Sequence, residues 1–230
     1  MTAARIWRSS IGKKFLMGIS GLALVGFAVA HLAGNLTIFL GPDTINAYAE
    51  KLRHLGVLLW VARITLLGFA AVHVLMGIEL ARENRAARLK GYRRQKSIQT
   101  TLAAKTMALS GILILVYIVY HLLHFTFGVT HPQAAHLEDP LHRHDIYSMV
   151  VLGFQRVPVA VGYIAAMALL CLHLSHGIGS LFQSVGFNSE RSRPVVERAG
   201  RLIALGLFIG YSAIPLSVLL GWLKMPGAYR

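Results

Sequence analysis

Residues 157–182 read VPVAVGYIAAMALLCLHLSHGIGSLF, 26 positions without an Asp, Glu, Lys or Arg. At about 1.5 Å of rise per residue, that stretch makes a helix of about 39 Å, longer than the hydrocarbon core of about 30 Å that a spanning helix has to cross. Working outward and bounding other apolar runs by their flanking charges gives four more: Phe15 to Leu40, Leu55 to Ile78, Thr106 to Gly128, and Leu202 to Leu223. Lipid offers no hydrogen-bond partner to a bare backbone, and no run shows the ten-residue alternation of a barrel strand, so the runs predict helices. The expectation is an all-α integral membrane protein with five transmembrane helices. It forms a single domain over residues 1–230, with spans near 15–40, 55–80, 105–129, 157–183 and 200–223.

Composition agrees. Hydrophobic residues make up 55% of the 230 and charged ones 14%, against about 25% charged in a soluble domain. Disorder is excluded, and a single cysteine, Cys171, rules out an intrachain disulfide framework. The net charge of +14 would point to nucleic acid if it lay as a stripe on a soluble domain, but it is segregated by loop. Arg5, Arg8, Lys13 and Lys14 precede the first run. Arg82, Arg85, Arg88, Lys90, Arg93, Arg94, Lys96 and Lys105 separate the second from the third, and Arg191, Arg193, Arg198 and Arg201 precede the fifth. These sixteen of the 23 basic residues share one side, which the positive-inside rule makes cytoplasmic, with the N-terminus in and the C-terminus out. Anionic lipid accounts for the charge without nucleic acid, and a protein partner on the same basic face is the sharper expectation. Ala28-Val29-Ala30 imitates a signal-peptide cleavage site, yet the apolar run continues to Leu40, well past the usual h-region of about 7 to 15 residues, so the first span is expected to be retained.

Ionisable side chains inside spans are read as functional by default, and four consecutive spans carry histidines. They are His31, His73, His121 with His124, and His173 with His176, while the fifth span has none. Counting about 1.5 Å per residue from the basic boundary places His31 about 25 Å up and His121 about 24 Å, with His73 about 14 Å and His173 about 15 Å. Two histidines at each of two levels, with no thiolate or carboxylate beside them, suit the axial positions of two haem irons in the bundle of the first four helices. No C-x-x-C-H occurs, so the haems would be of b type. Spacing leaves His124 and His176 open as alternative ligands, each lying three residues beyond the first choice.

Gly77 and Gly177 follow His73 and His173 by one helical turn and could admit a flat macrocycle. A zinc site, which wants four ligands at one point, is the chemical alternative, and His131, His136, His142 and His144 between the third and fourth spans could bind a metal among themselves. Arg63 and Arg156 lie in or beside spans, where a haem propionate, a quinone carbonyl or simple snorkelling would offset their cost. Glu79 and Glu83 are expected to pair with local arginines. Residues 41–54 are expected to include an interfacial helix, with Asn46, Tyr48, Glu50 and His54 as proton-active groups.

The run Ser9-Ser10-Ile11-Gly12-Lys13-Lys14-Phe15-Leu16-Met17, then Ser20-Gly21-Leu22 and His31-Leu32-Ala33-Gly34-Asn35-Leu36, resembles the first helix of the cytochrome b membrane-anchor subunits of succinate:quinone oxidoreductases, the five-helix, two-haem, single-chain type. Asp145-Ile146-Tyr147, Val150 to Gln155, and His173-Leu174-Ser175-His176-Gly177 with Ser180 to Gln183 are similar to its fourth. The likeness runs from about Ser9 to Asn188. It implies a distal haem on His31 and His121 and a proximal haem on His73 and His173. It also implies a flavoprotein subunit and an iron–sulfur subunit docked on the cytoplasmic face of a bacterial inner membrane, and quinone as the membrane substrate. This chain would have no catalytic residue for succinate, since it carries neither a dinucleotide fingerprint nor a cysteine cluster.

Overall fold

The computed structural model describes residues 9–86, 102–184 and 189–227, the side chains of 102–105 excepted. Ser9 opens the first helix, α1 (Ser10–Leu36), its hydroxyl accepting the Gly12 N–H at 3.0 Å, one of the donors a helix start leaves without a partner. A tighter 3-10 turn, Thr37–Leu40, ends at Gly41, whose φ of 105° an L side chain rarely adopts. Pro42 then starts α2 (Pro42–His54) with its φ already helical. The rest are α3 (Val57–Ala86), α4 (Leu102–His121), a four-residue α5 (Pro132–Ala135), α6 (Ile146–Gln155), α7 (Val157–Ser184) and α8 (Ser192–Leu219). A π-helical turn, Leu122–Thr126, continues α4.

Five helices are long and apolar enough to cross a membrane: α1 with its 3-10 turn, α3, α4 with its π turn, α7 and α8. All five expected spans are therefore present, and α2 is the expected short helix, but several ends differ. Helix α3 continues to Ala86 and α8 begins at Ser192. The intrahelical ladder does not stop where the apolar run does, and ion pairs along the helix carry it on, with Arg82 3.6 Å from Glu79 and Arg193 3.0 Å from Glu197. The chain breaks at Arg156 (ψ 102°), two residues before Pro158, so α6 and α7 are separate helices. Pro158 has no N–H to bond the Phe154 carbonyl.

Glu83 departs from the expected local pairing. Its partner is Lys13 of α1, which Glu79 also approaches at 3.9 Å, so these carboxylates tie α1 to α3 at the end remote from α2. The N-terminal Arg5 and Arg8 and the run from Arg88 to Lys96 lie outside the described residues.

Helix α8 packs along α7, α3 along α1, and α4 and α1 along α7. Leu32, Leu174, Ile178, Ala204 and Leu207 fill the seam among α1, α7 and α8. The opposite faces are apolar and exposed, with Trp60, Ile64 and Leu67 on α3 and Ile112 and Val116 on α4. Apolar faces of this extent call for lipid around the bundle. The fifth span does more than flank the others, since the Tyr211 hydroxyl of α8 donates to the Ala28 carbonyl of α1 at 2.7 Å.

The end carrying α2 is closed by a polar latch. Asn46, 1% exposed, donates to Asp139 (3.3 Å) and Asp145 (3.1 Å) and accepts the Tyr147 N–H (3.1 Å). Asp145 in turn caps α6 through the Ser148 N–H at 2.9 Å. Arg143 bridges Asp139 and Asp43 at 2.6 and 2.7 Å. Burial alone would raise the Asp139 carboxyl, but hydrogen bonds from Arg143, Asn46 and Leu141 outweigh it and hold the group at about 2. A carboxylate depressed in the folded state lends stability in full above its unfolded value near 4, and that stability is lost as pH falls through the folded value. Amide exchange in residues 139–147 should accordingly stay protected down to about pH 4 and lose protection toward pH 2. Asp139→Asn should flatten that dependence, and the same pH profile in both proteins would dismiss the latch as its cause.

Candidate histidine-paired cofactor site

The six membrane histidines sort themselves by geometry. The rings of His31 (α1) and His121 (last residue of α4) stand 6.0 Å apart, centre to centre, at 81°. Those of His73 (α3) and His173 (α7) stand 6.3 Å apart at 65°. A ligating imidazole nitrogen sits about 2 Å from its metal and the ring centre about 1 Å further back, so two axial imidazoles on one iron stand about 6 Å apart. Both pairs have the spacing that fits a six-coordinate haem iron.

Three of the four paired histidines have a second ring nitrogen engaged. His73 Nδ1 lies 3.1 Å from the Met17 carbonyl and 3.5 Å from Ser20 Oγ, and His173 Nδ1 lies 3.2 Å from Ser110 Oγ. An Nδ1–H held by a carbonyl or hydroxyl leaves Nε2 with the free lone pair, the arrangement of a metal-ligating imidazole with its outer partner in place. At the other level, Tyr163 Oη lies 3.4 Å from His121 Nδ1, while His31 stacks on Phe27 at 5.2 Å and meets Tyr211 at 6.3 Å.

Glycines shape the surroundings. A Cβ on Gly21 would meet the His73 ring at 3.1 Å, and one on Gly111 the His173 ring at 3.4 Å. A Cβ on Gly77 would meet nothing within 4 Å and one on Gly177 only the Met107 methyl at 3.8 Å, so clear space lies one turn on from both histidines for a flat ring to use.

The alternatives take other places. His176 Nε2 bonds Ser180 Oγ along its own helix at 3.1 Å. His124, 4% exposed, bonds Tyr163 Oη at 3.0 Å and backs onto Gly153 of α6. His124 belongs to the π turn, in which one extra residue per turn re-aims a side chain, and it stacks on Phe125 at 4.0 Å. His142 meets Glu138 at 3.5 Å and His144 the Ala135 carbonyl at 2.8 Å. Among the described residues, no three His, Cys, Asp or Glu side chains converge as a tetrahedral metal would want.

Arg63 is exposed and lies over the Trp60 ring at 5.1 Å, a cation–π pair. Arg156 is exposed at the α6–α7 break. Of the proton-active candidates on α2, Asn46 is taken up by the latch, Tyr48 packs against Gly34, and Glu50 and His54 pair on the surface at 3.8 Å.

Sequence reasoning gave no role to Ser20, quoted only within the first-helix resemblance, or to Ser110, Tyr163 and Tyr211, each of which lies against a paired histidine. For the serines a signal existed, a short pattern written twice in the chain. Comparison of the chain with protein-family models, with curated proteins and with solved structures found no match.

Proposed function

We propose that this chain is the dihaem cytochrome b membrane anchor of a succinate:quinone oxidoreductase. His31 and His121 would hold the distal haem and His73 and His173 the proximal one. The observation that carries the reading is the two imidazole pairs, 6.0 and 6.3 Å apart, on alternate membrane helices. Bound in this way, b-type haem supplies a one-electron carrier with no open coordination position, suited to electron transfer over oxygen chemistry. The chain's own contribution is to hold and orient the four imidazoles and to dock its partners. An iron–sulfur subunit, fed by a flavoprotein subunit that acts on succinate or fumarate, sits on the basic cytoplasmic face of the bacterial inner membrane. Membrane quinone is the other redox partner, and the chain is not an enzyme on its own. The N-terminus is cytoplasmic and the C-terminus lies outside.

The test is direct. Purified chain should show reduced-minus-oxidised spectra of low-spin b haem and a haemochrome count of two haems per chain. A flavoprotein and an iron–sulfur protein should co-purify with it. Preparations free of haem would end the reading, and haem with a hydrogenase-type or formate-dehydrogenase-type partner would redirect it.

A further inference from the structure

Two stretches of the chain share one spelling. Met17-Gly18-Ile19-Ser20-Gly21 and Met107-Ala108-Leu109-Ser110-Gly111 each place Ser-Gly three residues after a Met, and each Gly lies ten residues before a paired histidine, His31 or His121. The partner helices match as well, with His73 and Gly77 on α3 and His173 and Gly177 on α7. The structure makes the two copies equivalent in space. Ser20 faces His73 and Ser110 faces His173 through the same ring nitrogen, and the glycine next to each serine lies against the same ring.

Both hydroxyls are buried, at 1% and 2% exposure. Each donates its own proton to a carbonyl of the preceding turn, Ser20 to Leu16 at 2.7 Å and Ser110 to Met107 at 3.0 Å. With that proton committed, the oxygen faces the imidazole as an acceptor. The copies differ in strength. His73 has the Met17 carbonyl at 3.1 Å with Ser20 only at 3.5 Å, the edge of a hydrogen bond, whereas Ser110 stands 3.2 Å from His173, whose ring the Met107 carbonyl also reaches.

We infer that Ser20 and Ser110 are matched positioning residues. Through Nδ1 of the histidine on the neighbouring helix, each sets the tautomer and donor strength of one axial ligand of the same haem, Ser110 more strongly than Ser20. The inference rests on the haem reading above. An acceptor on Nδ1–H makes an imidazole a stronger donor and favours the oxidised iron, so losing it should move the potential upward.

The experiment uses the purified full chain with its haems, read by haemochrome count, low-spin EPR and redox titration. The proximal haem is identified as the one lost in His73→Ala. Ser110→Ala should keep two haems, move the proximal potential positive and shift its EPR signal, and leave the distal haem unchanged. Ser20→Ala should move the same haem by less, and Ser110→Thr, which keeps the hydroxyl, should restore both readouts. Gly21→Ala, whose Cβ would press the His73 ring, should shift the same EPR signal. Gly111→Ala, in ordinary contact, should not. Loss of the proximal haem alone in Ser110→Ala also supports the assignment. Unchanged spectra and potential, equal movement of both haems, loss of both, or no recovery with Thr would overturn it. A wild-type chain without haem fails the functional reading instead, so the two failures are separable.

Discussion

On the dihaem reading proposed above, His73→Ala should reduce the preparation from two haems per chain to one, and His173→Ala should remove the same haem. His31→Ala and His121→Ala should each remove the other. The pairing follows from the ring separations of 6.0 and 6.3 Å, which leave each histidine one partner across the bundle. An axial ligand cannot be replaced from three residues away without turning its helix, and His176 is already bonded to Ser180. His173→Ala should therefore not be rescued by His176. The check is a haemochrome count with the α-band resolved at low temperature, and a His73→Ala protein that retained both haems would refute the pairing.

Asn46→Ala should give the largest loss of stability away from the histidines. The side chain makes three buried hydrogen bonds, and truncation takes the acceptor from the Tyr147 N–H and one donor each from Asp139 and Asp145, which keep Arg143 and the Ser148 N–H. A loss of about 2 to 4 kcal/mol follows, or a fall of several degrees in apparent melting temperature for a chain of this size. Cys171 is the sole cysteine and half-buried, so a thiol-reactive dye reports unfolding from one place. Glu50→Gln on the same helix removes only a surface pair and should stay within about 0.5 kcal/mol of wild type. Equal melting of the two variants would show that the latch does not hold the end of the bundle.

The spans were legible because each is a single apolar run of at least about 20 residues without the alternation of a barrel strand, which leaves a helix to satisfy its backbone in lipid. The height of each histidine was legible for a related reason. A helix has a fixed rise, so counting residues from a charged boundary measures distance, and His31 with His121 and His73 with His173 meet as their heights predict.

Helix ends were less legible, because a charged residue closes the apolar run but not the hydrogen-bond ladder; Glu79, Arg82 and Glu83 continue α3 to Ala86. The π turn that takes His124 away from the paired rings depends on packing against α6 and leaves no local pattern. The same holds for Tyr211, which reaches α1 from 183 residues away, and for Asn46. Read locally, Asn46 is one more polar residue on an amphipathic surface helix. Only the return of residues 139–147 makes it a junction.

That return fixes an order of events during synthesis. Asn46 leaves the ribosome 93 residues ahead of Asp139 and 99 ahead of Asp145. At about 5 to 20 residues per second the delay is on the order of ten seconds. The first hairpin therefore enters the bilayer with its loop unfastened, and α4 must be threaded before the clasp can close. A nascent chain stalled short of residue 139 should leave the segment around Asn46 open to protease, and one stalled beyond residue 147 and clear of the exit tunnel should not.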